Sequence, residues 1–374
     1  MMLLVSCNND EPPITPPQEE TTPRTVLIYM VANNNLSSYS VSDLGEITQA
    51  VQWGHLGKSR LIIYYARKNA AELLEMTADG TNVIKTYSND LMSVNASRMT
   101  EVINDAKAFA PADTYGMIFW GHGSGYLQNG IDESDITPLS YGGENINGTN
   151  YWMNITTLSS VLSGKGFDWI YFDCCFMAGI EVAYELRHVT NTIVASATEI
   201  PADGMPYHST LQYLMPKNSD LDAAAKATFD FYDQETGMYR TCTMSVIHTD
   251  AIDEIASAMK AIYATRPTLP RDYVPQPFQT SSDQRRYDWH YYDFKHYAMA
   301  LANNNNTLTT NLNTAFEHAI STSLATPMLW NDVKLLNHCG LSTLIIESAD
   351  DPFVEQFGYN QLSWWKDIVA TRFK

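Results

Sequence analysis

Cysteine is scarce in this sequence, and its positions exclude several kinds of site. Five cysteines occur in 374 residues: Cys7, the adjacent Cys174 and Cys175, Cys242 and Cys339. They are too few and too scattered for a disulfide framework, and their odd number points to a reactive or a modified thiol. No histidine stands near the adjacent pair at zinc-finger spacing, so a structural zinc site is not expected.

Long apolar runs and positive charge are also lacking. No stretch of the sequence is apolar for long enough to span a bilayer. The 42 acidic residues outnumber the 23 basic ones and give a net charge of −19, so nucleic acid is not an expected partner. A basic substrate would be attracted by this field, although acidity that only keeps an exported protein soluble is an equally good interpretation.

The first 24 residues predict a tether rather than a folded segment. Residues 4–7, LVSC, resemble the lipobox of bacterial lipoproteins, in which Cys7 would carry the lipid. Residues 1–7 lack the basic region and longer apolar stretch of a complete signal, so we expect a truncated one. Residues 8–24 are polar, acidic and proline-rich, which predicts a disordered tether. We therefore expect an exported bacterial lipoprotein of the outer membrane or cell surface, which meets the membrane only through its lipid.

The rest of the chain alternates apolar runs with amphipathic segments, as in a parallel sheet with crossover helices. The predicted strands are residues 25–31, 61–65, 82–87, 115–120, 168–172 and 192–196, and the predicted helices are about 41–53, 95–109, 154–163 and 176–188. Most of these strands are apolar on both faces, so helices should cover the sheet on both sides. An α/β/α sandwich over residues 25–205, with a mostly parallel central sheet, is the expected fold.

Residues 206–374 show a mainly helical pattern. The predicted helices are about 208–215, 220–237, 250–265 and 298–322, followed by a strand at 341–347 and a closing helix from residue 359. A proline-rich, aromatic stretch at 268–297 predicts a long loop. The pattern leaves open whether this part is a separate domain or an elaboration of the first.

A histidine framed by glycines follows the fourth predicted strand, in the motif GHGSG at residues 121–125. In open parallel sheets, ligands bind beyond the C-terminal ends of the strands. The glycines leave His122 little steric cover, so we expect an exposed ring. Taken alone, the motif fits a packed histidine as well as a catalytic one. It is not a serine-hydrolase elbow, because Gly123 stands where the serine would be.

The adjacent cysteines follow the fifth predicted strand and directly precede a predicted helix. We expect the unpaired amides and the dipole of that helix to lower the pKa of Cys175 and to favour its thiolate. Both cysteines could instead be small packing residues. The histidine at the neighbouring strand end favours a nucleophile.

Asp173 stands two residues before Cys175, on the same side of an extended chain. A bare carboxylate there would disfavour the thiolate, so its presence makes sense if the arginine or lysine of a substrate lies against it. After the sixth strand, Glu199 and Asp203 add acids to the same sheet edge, although the sequence around Asp203 is also ordinary turn chemistry.

Three sequence blocks resemble the clostripain-type cysteine peptidases, relatives of caspases, gingipains and legumains. These blocks are TVLIYMVANNNL at 25–36, MIFWGHGSG at 117–125 and WIYFDCCFMAGIEVAYEL at 169–186, and the similarity extends through ATEIPADGMPY at 197–207. The family places His-Gly after one apolar strand and Asp-Ala-Cys after the next. The resemblance implies a caspase-like fold with a helical C-terminal part that completes the peptidase.

The resemblance also implies a catalytic pair. His122 matches the catalytic histidine and Cys175 the nucleophile, while Cys174 stands where the family usually has alanine. The implied reaction is thiolate attack on a peptide carbonyl, an acyl-enzyme and then hydrolysis, with His122 protonating the leaving amine. The backbone amides of Gly123 and Cys175 are the expected oxyanion hole.

The same resemblance gives the expected substrates. Asp173 and Asp203 match the acids that line the pocket for an arginine or lysine before the cut, and Ser196 and Thr198 are expected to bind substrate beside them. Protein or peptide substrates are the implied partners. No metal or other cofactor is expected; calcium dependence is known in parts of the family, but no clustered Asp/Asn loop argues for a calcium site.

The sequence departs from the family pattern in one respect, and two alternative functions remain open. Family members are commonly cut between the two motifs at a basic residue, yet the only one between Gly123 and Cys174 is Lys165, predicted to lie too close to the fifth strand for easy cleavage. A silent binding lipoprotein that keeps the fold is one alternative, and the intact His122 and Cys175 argue against it. A transpeptidase using the same residues is the other.

Overall fold

A nine-stranded mixed sheet forms the centre of the molecule. The computed structural model describes residues 22–127, 140–280 and 291–374, so the expected lipidation at Cys7 and all but the end of the expected tether lie outside the described residues. The strands are β1 Arg24–Val31, β2 Arg60–Arg67, β3 Ala70–Thr77, β4 Gly80–Tyr87, β5 Thr114–Trp120, β6 His122–Gly123, β7 Tyr141–Ile146, β8 Thr149–Met153, β9 Trp169–Asp173, β10 Thr192–Ala195, β11 Thr243–His248, β12 Tyr292–Asp293, β13 Ile320–Ala325, β14 Met328–Leu329, β15 Val333–Lys334 and β16 Ser342–Thr343.

The helices flank this sheet on both faces. They are α1 Ser37–Gln52, α2 Ala96–Phe109, α3 Ile155–Leu162, α4 Ile180–Leu186, α5 Tyr207–Leu214, α6 Leu221–Asp233, α7 Ile252–Ala264, α8 Phe294–Ala302, α9 Asn306–Ala319, α10 Pro352–Gln356 and α11 Ser363–Asp367. No helix in the described ranges is long and apolar enough to cross a membrane.

The strand order in the sheet is β13-β11-β10-β9-β5-β1-β2-β3-β4. The five central strands from β10 to β2 are parallel, whereas β3 and β4 at one edge and β11 and β13 at the other pair antiparallel. The predicted α/β/α fold with a mostly parallel centre is confirmed.

Alternate residues of the central strands fill two separate cores. In β1, Val26 and Ile28 pack with α1, α5 and α6 on one face, while Leu27 and Tyr29 pack with α2, α3 and α4 on the other. All four side chains are buried because period-two alternation sends successive side chains to opposite faces. The continuous apolar runs in the sequence are the signature of this double covering.

Several predicted elements differ from the structure. Strand β3 was not predicted, because AAELLEMT contains only one β-branched residue, Thr77, and is otherwise made of residues that favour helices. The predicted helix 298–322 is two helices and a strand, since Asn303 and Asn304 adopt left-handed conformations that end α8. Strands β11 and β13 were also missed, and they join residues 206–374 to the main sheet, which makes this part an elaboration of the first.

Five loops meet at the carboxyl edge of the parallel strands. In their order across the sheet they are residues 196–204 after β10, 174–179 after β9, 121–125 after β5, 32–36 after β1 and 68–69 after β2. Because these strands are parallel, all five loops lie on one side of the molecule. The predicted catalytic and substrate-binding residues lie in the first three of them, except for Asp173, which is the last residue of β9.

Candidate active site

His122 and Cys175 leave the sheet side by side. Strands β5 and β9 are parallel neighbours, and their register pairs Trp120 with Asp173. His122 and Cys175 each follow two residues later, so they extend from adjacent strand ends about 4.8 Å apart. The structure thus brings the predicted pair to one place on the carboxyl edge.

Gly123 allows the loop that carries His122 to contact the loop that carries Cys175. A Cβ atom at Gly123 would lie 2.6 Å from the carbonyl oxygen of Cys175 and 2.8 Å from Cβ of Cys174. Real Cβ atoms do not approach backbone so closely, so a side chain here would push the histidine loop away from the cysteine loop. The glycine after His122 is therefore required for this close packing.

Asn35 determines the tautomer of the neutral His122 ring. Nε2 of His122 lies 2.6 Å from Oδ1 of Asn35, and since an amide oxygen only accepts, Nε2 donates the hydrogen bond. In the neutral ring Nδ1 is then an acceptor. Sequence reasoning assigned the run Asn33–Asn35 only to a loop; its position at the same sheet edge is the signal that could have identified Asn35.

The His122 ring is half-buried, and the expectation of an exposed ring was wrong. The Trp152 ring packs 5.9 Å away, centroid to centroid, and a Cβ at Gly143 would lie 3.0 Å from His122 Cδ2. The hairpin β7–β8 supplies both contacts. Burial lowers the pKa of His122, which favours the neutral ring that can accept a proton.

The two cysteines have different environments. Cys174 is buried, and its Sγ lies 3.3 Å from the carbonyl of Phe119. Burial raises the pKa of this thiol well above its usual value, so it stays protonated. Cys175 is only half-buried, forms no disulfide, and has its Sγ 3.5 Å from the backbone nitrogen of Ile200. Of these adjacent thiols, Cys175 is the one that a substrate can reach.

The expectation that Cys175 lies at a helix N-terminus was wrong. Helix α4 begins at Ile180, five residues later, with Gly179 as its N-cap. Between them Phe176 adopts a left-handed conformation, with φ of 61°, and its backbone nitrogen donates to the carbonyl of Thr198. A sharp turn, hydrogen-bonded to the loop after β10, therefore positions the Cys175 thiol. The dipole of α4 does not act on this thiol.

Asp173 is not a bare carboxylate. It is buried, and it accepts hydrogen bonds from the backbone nitrogen of Met205 at 2.8 Å and from the hydroxyl of Tyr207 at 3.0 Å. Burial raises the pKa of Asp173 to about 7 despite these bonds. Gly204 packs on it so closely that a Cβ there would lie 2.9 Å from both carboxylate oxygens.

Asp173 belongs to an acidic cluster with Asp43, Glu46 and Asp203. Burial raises the pKa of Asp43 to about 9, and the charges of the other three add to this effect. His208 lies 3.2 Å from Glu46, but no lysine or arginine in the described ranges forms an ion pair with any of the four. Since these raised pKa values keep Asp43 protonated and Asp173 only partly ionised near neutral pH, the cluster is a set of acids whose ionisation a nearby cation would favour.

Sequence reasoning missed Asp43, although a signal was present. Asp43 lies in α1 on the buried face that it shares with Ile47 and Ala50, and its Oδ2 accepts from Trp120 Nε1 at 2.6 Å. A carboxylate at an apolar position of an amphipathic helix marks a buried polar group. Neither in this cluster nor elsewhere in the described ranges do three His, Cys, Asp or Glu side chains converge as metal ligands.

Ser196 and Thr198 do not offer their hydroxyls to a substrate. They are 1% and 0% exposed, and both hydroxyls hydrogen-bond to that of Thr243 on β11, at 2.8 Å and 3.1 Å. Their backbone carbonyls accept from the cysteine loop. The predicted substrate contact of these side chains is therefore corrected: they hold the loop after β10 against the loop that carries Cys175.

Comparisons with known proteins agree on one family. Residues 28–337 match the model of the clostripain family, peptidase family C11. An inactive zymogen C11 protease from Parabacteroides distasonis is 27% identical, covers 93% of this chain and 98% of its own, and superposes with a TM-score of 0.76. None of the curated proteins searched matches the chain.

A second solved structure has the same fold over the same extent. It is a secreted C11 cysteine protease from Bacteroides thetaiotaomicron, 25% identical, which covers 93% of this chain and 99% of its own with a TM-score of 0.78. The family match spans both the histidine and the cysteine loops. This chain belongs to the clostripain family and is a cysteine peptidase with a caspase-like fold.

Proposed function

We propose that the enzyme is an endopeptidase that cleaves after arginine or lysine with Cys175 as nucleophile and His122 as acid and base. The observation that carries this proposal is the acidic cluster that contains Asp173, two residues before Cys175, and Asp203, in the loop after β10 that is hydrogen-bonded to the cysteine loop. A cationic side chain before the cut would meet the cluster while its carbonyl carbon lies at Cys175.

The proposed reaction proceeds in two steps. Nδ1 of His122 accepts the proton of the Cys175 thiol, and the thiolate forms a bond to the carbonyl carbon of the substrate. The imidazolium then donates its Nδ1 proton to the departing amine as the C–N bond breaks. A water attacks the acyl-enzyme with His122 again as base, and the thiol is released. Asn35, which accepts from Nε2, keeps Nδ1 towards the reaction and stabilises the imidazolium.

The oxyanion hole is assigned to the backbone amides of Gly123 and Cys175. The close contact of Gly123 with the Cys175 carbonyl supports this pairing, because it holds the two loops together beside the reacting carbon. Fixed backbone donors at this place would stabilise the charge that develops on the carbonyl oxygen.

Asp173 and Asp203 have different roles in the proposed specificity for arginine or lysine before the cut. Asp203 is exposed and can contact a substrate cation directly. Asp173 is buried under Gly204, so it acts from the base of the pocket through its charge. A cation in the pocket would lower the pKa of Asp173 from about 7 and draw the proton off it.

The test is a panel of fluorogenic peptides that differ only at the residue before the cut. We expect efficient turnover for arginine and lysine and poor turnover for leucine and aspartate. Asp203→Asn should lower kcat/KM on the arginine peptide on the order of tenfold, as for the loss of one charge-assisted hydrogen bond. Asp79→Asn, an exposed acid in the turn between β3 and β4, is the control and should change nothing. Equal turnover of the leucine and arginine peptides would overturn the basic specificity.

We also propose that the enzyme is a bacterial lipoprotein anchored through Cys7. The lipobox-like residues 4–7 and the proline-rich segment that follows support this, and the relative from B. thetaiotaomicron is described as secreted. The native protein should then enter the detergent phase with the membrane fraction, and Cys7→Ser should release it. Identical partitioning of both forms would contradict the anchor.

A further inference from the structure

A polar groove of about 1130 Å³ opens on the far side of His122 from Cys175. The loops after β1 and β2 and the hairpin β7–β8 form its walls. Asn35 and His122 lie at one end, Trp152 and Asn150 along one wall, and Lys68 at the β2 side. The groove is therefore continuous with the catalytic pair.

The strand order fixes which part of a substrate this groove would receive. Asp203 of the acidic cluster lies in the loop after β10, on one side of Cys175, whereas His122 follows β5 and the groove spans the ends of β1 and β2 on the other side. If the residue before the cut lies at the cluster, as in the proposed function, the chain crosses Cys175 and His122 and continues into the groove. The residues after the cut, which leave with the amine, would lie there.

The charge of the groove is opposite to that of the whole protein. Acidic residues outnumber basic ones 42 to 23 in the chain, yet the described residues that line the groove include Arg67 and Lys68 and no aspartate or glutamate. Arg67 forms an ion pair with Glu72, which leaves Lys68 as the uncompensated cation. Lys68 is exposed and forms no hydrogen bond or ion pair within the described ranges.

A helix end adds to this positive potential. Helix α1 begins at Ser37 on the wall of the groove, and its first turn contains no acidic residue and no side-chain cap. The amino end of a helix of 16 residues carries partial positive charge. Lys68 and the start of α1 thus favour an anion in the same groove.

We propose that this groove is a binding site for the substrate residues after the cut and that it prefers a carboxylate near the third of them. Strands β5 and β2 are two spacings apart, about 10 Å, and an extended peptide advances about 3.3 Å per residue. The third residue after the cut therefore lies beside Lys68. The enzyme would select a basic residue before the cut and an acidic one shortly after it.

The test uses internally quenched peptides with the best residue of the panel before the cut. In the first matched pair, the third residue after the cut is either glutamate or glutamine. In the second pair, the peptide ends at that third residue, either as a free carboxylic acid or as an amide. The wild type should prefer the carboxylate of one pair about three- to fivefold in kcat/KM, as for an exposed charge pair. The pair that shows the preference tells whether the carboxylate is a side chain or a chain end. High salt should reduce the preference.

The variants separate the groove from the rest of the site. Lys68→Met should bring the glutamate-to-glutamine ratio near one, Lys68→Glu should invert it, and Lys260→Met, an exposed lysine on α7, should keep the wild-type ratio. Equal wild-type turnover of the members of every pair would overturn this inference and leave the proposed function intact. A wild type that cleaves none of the peptides would overturn both.

Discussion

Replacing Asn35 tests how the histidine is held. Asn35→Ala removes the 2.6 Å acceptor of His122 Nε2. This bond becomes charge-assisted when the ring is protonated in the transition state, and such bonds contribute about 1.5–3 kcal/mol. Water can reach the partly exposed contact and replace some of this energy, so we expect kcat to fall on the order of tenfold to thirtyfold.

The assay separates positioning from substrate binding. A fluorogenic substrate with arginine before the dye leaves the groove beyond His122 empty, so KM should change less than about twofold. Asn35→Asp keeps an acceptor and adds a negative charge, so it should restore much of kcat and, by raising the pKa of His122, move the acidic limb of the pH profile to higher pH. Asn150→Ala is the control, because its side chain bonds Asn145 in the same groove.

An unchanged kcat in Asn35→Ala would refute the reasoning. The same holds if Asn35→Asp left the pH profile unmoved, because the ring would then not be held through Nε2. A loss in Asn150→Ala as large as that in Asn35→Ala would show that the groove as a whole, and not this bond, supports catalysis.

Three further predictions follow from buried groups and from the place of Lys165. The preference for arginine over neutral citrulline should rise as pH rises through about 7, where Asp173 ionises, and Asp173→Asn should flatten it. Since folding raises the pKa of Asp173 from 3.8, its contribution to the free energy of unfolding should fall as pH rises from about 4 to about 7 and level off above that. Ser196→Ala should lower the free energy of unfolding by about 1–3 kcal/mol with KM unchanged, by denaturant titration and kinetics. Purified enzyme at low concentration should stay a single chain on a denaturing gel, because Lys165 precedes β9 and Cys175 follows it, so the two lie at opposite ends of this strand and one molecule cannot cut itself there. A concentration-independent cut after Lys165 would contradict this geometry.

The central strands and the catalytic pair could be predicted because their signals are local. Buried parallel strands are apolar throughout, and the motifs that follow β5 and β9 stand directly at the strand ends. The parallel register then converts two local motifs into one site.

What the sequence could not predict depends on contacts between distant segments. The turn at Phe176 is fixed by hydrogen bonds to the loop after β10, so the short stretch before α4 was predicted as helix. Ser196 and Thr198 are buried only because β11 brings Thr243 against them, and β11 itself was missed. The roles of Asn35 and Lys68 become visible only once the strand order is known.

Identification of the residue that carries the acyl group tests the central claim most directly. An irreversible peptide inhibitor with arginine before the reactive group should label one cysteine, and mass spectrometry of the digest should place the label on Cys175. Cys174→Ala should keep the label and most of the turnover, whereas Cys175→Ala and His122→Ala should lose turnover. A label on Cys174, or undiminished cleavage by Cys175→Ala, would contradict the account.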